Sequence, residues 1–312
     1  ETKYLEMVIQ RFGLYQQLAM TENYENYNWF DRPVWTEGCA VVDAFMLAAN
    51  LWRLTGNTDD LHLAHLILYN GIYANQRPNG GFGCNNCTGI DGQLCLHPAN
   101  IYEAPWCCSM RGSEALAETL AATFCYDNDR IVTPFYHHMR AILRFPDGEM
   151  ELEMKADYPY SGKTHIEVLS SSVTKPKSVR MFVPSWTDAR SVSCSLNGVK
   201  QNDAVLDRYF VTLREKFAAG DVIELDYGFV VREENAHLQA NADYHRFFYG
   251  PLLLGTASQE EVRIGSAAQL QSQGQGRFLD TKNGAALFPV ADLTWLPEKE
   301  SRESSVQILF KH

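Results

Sequence analysis

Glu149-Met150-Glu151-Leu152-Glu153-Met154-Lys155 sets a charged residue against an apolar one at every step. A period of two is that of a strand with one face in a core and the other in water. His165-Ile166-Glu167-Val168 and Val222-Ile223-Glu224-Leu225 repeat it, and Val179-Arg180-Met181-Phe182-Val183 and Tyr209-Phe210-Val211-Thr212-Leu213 are strand-like. Turn signals punctuate these runs at Pro146-Asp147-Gly148, Ser161-Gly162, Asn197-Gly198 and Ala219-Gly220-Asp221. Many short strands so punctuated predict an antiparallel β-sandwich.

Upstream of this region the period changes. Tyr4, Leu5, Val8, Ile9 and Phe12 recur at helical spacing, so the chain opens within an amphipathic helix that should pack on something. Glu1 to Met20 lacks the basic start, apolar stretch and cleavage site of a signal peptide. Thr21 to Trp35 has no period and reads as a loop. A second helix is expected from Thr36 as N-cap, with Glu37 against the helix dipole, to Thr55-Gly56-Asn57. A third, capped by Asp59 or Asp60, carries Leu61, Leu63, Leu66, Ile67 and Leu68. Arg77 to Pro105 is a Gly- and Cys-rich loop, and a fourth helix runs from about Met110 to Phe124. Helices first and strands afterwards predict two domains, 1–130 and 131–312, rather than an alternating α/β sheet. Past about Gly250 the strand signal thins, and Ser258 to Gly276 reads as a polar loop.

Composition narrows the function. The 312 residues are 46% hydrophobic, enough for about two cores. The net charge is -11 with no Lys/Arg block, which speaks against nucleic acid as partner. No apolar run approaches the ~20 residues of a membrane span, so a soluble protein is expected.

Eight cysteines stand at 39, 84, 87, 95, 107, 108, 125 and 194. A disulfide scaffold would be shorter and denser in cysteine, so clustered thiols here point to metal or catalysis. One possible zinc site joins Glu37-Gly38-Cys39 to Cys107-Cys108, since helix N-termini favour thiolates and zinc takes four such ligands. A second joins Cys84, Cys87, Cys95 and His97 as a Cys₃His set; the same residues could be free thiols, a loop disulfide, or recruits to the first site. Cys125 and Cys194 read as ordinary buried small residues. Gly80-Gly81-Phe82-Gly83 lacks the lysine and preceding strand of a phosphate loop.

Thr36-Glu37-Gly38-Cys39-Ala40 with Trp106-Cys107-Cys108 resembles glycoside hydrolase family 127, the β-L-arabinofuranosidases. Arg180 to Trp186, Leu196-Asn197-Gly198, Gly220-Asp221-Val222 and Tyr249-Gly250-Pro251-Leu252 resemble that family's β-domain landmarks in the same order, over roughly Glu1 to Leu254. The resemblance implies the C-terminal part of an (α/α) toroid or barrel followed by the sandwich, with a missing N-terminal segment or a partner chain completing the barrel. It implies a Zn²⁺ ion on Glu37, Cys39, Cys107 and Cys108, with Cys107 also the nucleophile of a retaining hydrolase acting on an oligosaccharide or glycoside. The resemblance places the acid/base just before the Glu-x-Cys motif, at Glu22 or Glu25, of which Glu22 fits the spacing better though one residue short; Glu103 reads as a solvated loop acid. His65 and Trp106 are the expected sugar contacts. The alternative is a non-catalytic, zinc-stabilised carbohydrate-binding or interaction protein, the remnant of a glycosidase. Reduced thiols favour a reducing compartment, so a cytoplasmic location is expected.

Overall fold

The computed structural model describes residues 2–27, 36–77, 79–86, 97–98, 107–204, 206–258, 260–293 and 305–311. Two compact units form: Glu1–Ala115 with Val231–His312, and Leu116–Val230. The division expected at 130/131 follows the change of secondary-structure type, whereas compactness gathers the last 82 residues with the helices.

In the discontinuous unit, α1 (Thr2–Leu18) buries Phe12 and leaves Tyr4, Ile9, Leu14 and Leu18 exposed. Helix α2 (Gly38–Thr55) begins one residue later than expected, because Glu37 rather than Thr36 takes the extended N-cap conformation. It stops where expected, at Gly56, whose φ of 72° is the left-handed cap that glycine supplies without strain. Helix α3 (Thr58–Leu66) is capped by Asn57, whose side chain accepts from the Asp59 backbone N–H; neither Asp59 nor Asp60 is the cap. It runs on through a π-helical stretch, Ile67–Ile72, into the short α4 (Tyr73–Asn75). Strands β1 (Asn85–Asn86) and β2 (His97–Pro98) pair antiparallel. Helix α5 (Cys107–Ala121) starts three residues before the periodicity indicated.

The unit 116–230 carries the alternating runs. Its strands are β3 (Cys125–Tyr126), β4 (Arg130–Thr133), β5 (Met139–Phe145), β6 (Gly148–Ala156), β7 (Thr164–Ser171), β8 (Lys177–Phe182), β9 (Ser193–Leu196), β10 (Val199–Lys200), β11 (Leu206–Asp207), β12 (Phe210–Glu215) and β13 (Val222–Asp226). One sheet has the order β10-β9-β13-β7-β6-β5 and the other β11-β12-β8-β4-β3. Met150, Leu152 and Met154 of β6 are buried, as the period of two requires. Ring contact between Tyr126 of β3 and Phe145 of β5, 5.4 Å between centroids, joins the two layers. All the pairings are antiparallel except β4 with β8, which is parallel.

The remaining strands return to the first unit. They are β14 (Val231–Asn235), β15 (His245–Tyr249), β16 (Leu252–Ser258), β17 (Leu270–Gly274), β18 (Arg277–Asp280), β19 (Ala286–Pro289) and β20 (Ser305–Gln307), with α6 (Val290–Leu293) between the last two. The stretch expected as a polar loop therefore includes β17, whose Gln271 to Gly274 are exposed on an edge ribbon and so lack an apolar period. Adjacent residues of β15 and β16 serve opposite faces: Phe247 and Leu254 pack with Leu287 and Phe310, while Phe248 and Leu253 pack with Val290, Leu309 and Ala74 of α4. Asn70, in the π-helical stretch, accepts from the Leu253 backbone N–H and donates to the Pro251 carbonyl, which locks the helices onto this sheet.

Candidate active site and metal centre

Three thiols converge from two helix starts. Cys39 is the second residue of α2, and Cys107 and Cys108 are the first two of α5. Their sulfur atoms all lie within 4.8 Å of one another, with Cys108 buried and Cys107 exposed. Backbone N–H groups at a helix start have no intrahelical acceptor, so each start carries partial positive charge that suits a thiolate. One turn further along each helix, Arg111 of α5 forms an ion pair with Asp43 of α2, and Arg111 also reaches Glu114. Asp43 and Arg111 stand four residues past Cys39 and Cys107, so this pair clamps the two starts together.

Glycines permit the close approach. A Cβ on Gly38 would lie 3.1 Å from the Gly83 carbonyl oxygen and 3.6 Å from Cys108 Cβ. On Gly112 it would lie 2.2 Å from the ring of Phe82, which packs directly on α5. The Gly-rich segment is a tight turn: Gln76 bridges to Phe82, and Gly80, with φ of 84°, donates to the Arg77 carbonyl. This turn delivers buried Cys84 to the cluster, its Sγ 3.9 Å from that of Cys108. Cys84 is thus placed beside the first thiol group. Of the other residues of the expected second metal site, Cys87 and Cys95 lie outside the described residues, as does the side chain of His97. Among the described residues Cys39, Cys107, Cys108 and Cys194 are free thiols.

The thiols share charge unequally. Cys108 is lowered to about 5, first by its hydrogen bond with Cys84 and against the opposing effect of burial. Cys39 is raised, first by burial and then by its hydrogen bond with Cys107. Glu37 is raised by burial and then by repulsion from Cys108, which puts its carboxyl within electrostatic reach of the cluster. Sulfur and carboxylate are the donors that zinc accepts, so the residues present fit such an ion.

The carboxyls expected to handle protons differ in setting. Glu22 is fully buried and accepts from the His237 and Leu238 backbone N–H groups and the Asn241 amide, with Arg246 at 3.3 Å. Those contacts hold the 19–26 loop to the 237–246 segment. Glu25, also buried, accepts from Asn23 at 2.8 Å and from Asn75 at 2.6 Å. Asn75 points onward: its Oδ1 is buried without a hydrogen-bond partner and lies 3.5 Å from the place a Cβ would take on Gly38. His65 is buried on α3, 6.1 Å from the Tyr69 ring. Trp106 and Glu103 lie outside the described residues. Asn75, Arg77 and the Asp43–Arg111 clamp carry no signal in the sequence, because nothing periodic or motif-like marks a residue that acts through a turn.

A cleft of about 560 Å³ in the 116–230 unit, lined by His138, Lys155, Asp157, His165, Cys194 and Glu224 among others, has no Phe, Tyr or Trp in its wall. Its one thiol, on buried Cys194, is pushed up to about 11 by burial, which keeps it protonated at neutral pH.

Residues 131–229 match the family model described as β-L-arabinofuranosidase, family 127 middle domain. No curated protein sequence matches the chain. Among solved structures, the family 127 β-L-arabinofuranosidase of Geobacillus stearothermophilus T6 is similar with a TM-score of 0.70 at 13% identity, over 95% of this chain and 55% of that one. A second family 127 β-arabinofuranosidase matches with a TM-score of 0.70 at 14% identity, over 95% and 54%. A structure described as a glycoside hydrolase matches with a TM-score of 0.67 at 14% identity, over 94% and 53%. The chain thus spans about half the length of the structures it matches. Residues 131–229 thus match the family 127 middle domain, and the chain as a whole is similar in fold to about half the length of the family 127 β-L-arabinofuranosidases.

Proposed function

We propose that this chain is part of a retaining glycoside hydrolase that acts on β-L-arabinofuranosides or a closely related linkage, with Cys107 as nucleophile. The observation that carries the reading is the convergence of Cys39, Cys107 and Cys108 within 4.8 Å on two helix starts, Cys107 being the exposed member. Glu37, Cys39, Cys107 and Cys108 would hold a zinc ion. When bound, zinc keeps coordinated thiols deprotonated at neutral pH.

Cys107 Sγ attacks the anomeric carbon as the glycosidic C–O bond breaks, and a carboxyl gives its proton to the departing oxygen. The same carboxylate then takes a proton from the water that displaces sulfur, so two inversions return the original configuration. Of the two carboxyls, Glu25 suits this role better than the Glu22 expected on spacing: it accepts from Asn75, whose Oδ1 lies 3.5 Å from the place a Cβ would take on Gly38, next to Cys39, whereas Glu22 is engaged with Arg246 and three N–H donors. His65, packed on Tyr69, shapes the wall, and Trp106 offers a ring for sugar C–H groups. The helices belong to an (α/α) barrel; the exposed apolar residues of α1 and the half-length match to the solved enzymes support further helices around them.

The test is hydrolysis of an aryl β-L-arabinofuranoside by the full chain. Cys107→Ser is expected to retain the fold and lower turnover by at least about 10³-fold, and Glu25→Gln by about 10²–10⁴-fold with recovery on substrates whose leaving group needs no proton. Zinc by elemental analysis without turnover would point to a binding protein. Unchanged turnover in Cys107→Ser would end the nucleophile assignment.

A further inference from the structure

The cleft in the 116–230 unit has no part in the reading above, and the strand register shows what its floor is made of. Lys155 of β6 stands opposite His165 of β7, His165 opposite Glu224 of β13, Glu224 opposite Ser195 of β9, and Ser195 opposite Lys200 of β10. These five residues form one row across five strands, and all five line the cleft. With strands about 4.8 Å apart the row is about 19 Å long. The row next to it, Thr164, Leu225 and Cys194, is buried, so Lys155 to Lys200 is the outward side of the period of two.

From this row we propose that the cleft is a carbohydrate-binding site, taking a neutral oligosaccharide laid across the strands. That the ligand is a glycan rests on the glycosidase reading above; where it binds and that it is neutral rest on the cleft itself.

Charge decides between ligands. Lys155, Lys163 and Lys200 are matched within the cleft by Asp157, Glu224 and Asp226, so there is no one-signed field to hold a phosphate or uronate chain. Mixed donors and acceptors suit hydroxyl groups, each of which donates and accepts. Along the row the lysines donate, Glu224 accepts, and His165 does either according to its tautomer. Ser195 Oγ donates to Glu224 Oε2 at 3.0 Å, and Glu153 holds the Lys155 ammonium at 2.8 Å, so both side chains are steadied before a ligand arrives. No Phe, Tyr or Trp stands in the wall, so the sugar is held by its hydroxyls and not by stacking. Such contacts are individually weak, and only a ligand several rings long gains from the whole row.

The test is the mobility of the full chain in native gels cast with soluble linear arabinan, a neutral polymer, or with polygalacturonate, an acidic one. Arabinan should retard the protein and polygalacturonate should not. Glu224→Ala and Lys200→Ala, both at exposed positions, should keep the wild-type melting temperature and weaken arabinan binding by about tenfold, as removal of a hydrogen bond to a charged group does. Turnover of an aryl arabinofuranoside, which is too short to cross the row, should be unchanged in both variants. Arabinan retardation equal to wild type in both variants, or retardation by polygalacturonate alone, would overturn the proposal. An aryl glycoside left intact by the wild-type chain, with arabinan retardation that still depends on Glu224, would end the glycosidase reading and leave the cleft as a sugar site.

Discussion

Lys177 is fully buried, yet its ammonium is not stranded: Nζ donates to Asp147 at 2.6 Å and to the Asn128 carbonyl at 2.8 Å, and sits 4.5 Å from the centre of the Phe145 ring. Asp147 also accepts from the backbone N–H groups of Thr174 and Lys175. The hydrogen bond from Lys177 is the largest cause holding the Asp147 carboxyl well below the usual carboxylate range. A depressed folded value means that this carboxylate stabilises the fold above the ordinary carboxylate pKa, and that its contribution is lost as pH falls toward the depressed value. Asp147→Asn is therefore expected to lower the unfolding midpoint clearly at pH 7 and by less at about pH 2, as measured by urea titration at both. A deficit that is the same at both values would show that the ion pair is not its source. In sequence Asp147 announces a turn between Pro146 and Gly148, and that turn is present. Nothing local announces its lysine partner thirty positions away, because ion pairs between layers have no sequence period.

At the scale of elements, α5 is held by what glycine leaves out. The Phe82 ring occupies the space of a Gly112 side chain, Phe82 donates its backbone N–H to Ser109 Oγ, and Arg111 clamps α5 to Asp43 of α2. Gly112→Ala would gain helix propensity and still is expected to destabilise the protein by about 1–3 kcal/mol, because a ring rather than a flexible chain end has to shift. Since α5 begins with Cys107 and Cys108, uptake of zinc by the proposed centre should fall in the same variant along with the melting temperature. Wild-type values for both would mean that the packing of Phe82 on Gly112 positions nothing. The existence of α5 is readable from its apolar spacing, but its start is not: Cys107, Cys108 and Ser109 precede the first periodic residue, and only the contacts around them make those three positions helical.

For the whole molecule, the order of elements along the chain is a poor guide to which elements share a core. Strands β14 to β20 fold with the helices, through Ala74 packed among Phe248, Leu253 and Val290, through Asn70 on the Pro251–Leu253 backbone, and through Glu22 on the 237–246 segment. Helix α1 gives a direct test of what covers it. Phe12 is buried and stacked on Tyr15, 5.9 Å between centroids, whereas Ile9 is 45% exposed. In this chain taken alone, Phe12→Ala is expected to cost about 3–5 kcal/mol and Ile9→Lys less than about 0.5 kcal/mol, by denaturant unfolding. Equal costs would show that Ile9 is packed.

Local chemistry determined much by itself. The period of two placed Met150, Leu152 and Met154 in a core, Gly56 ended α2, and thiols at 39, 107 and 108 declared a candidate centre, since side-chain direction and capping depend on residues a few positions apart. Only the tertiary structure decided that Cys84 stands beside Cys108, that Glu22 is an anchor for Arg246, and that the last strands complete the helical unit. Those outcomes depend on which distant surfaces bury one another, and burial between remote segments leaves no local period to read.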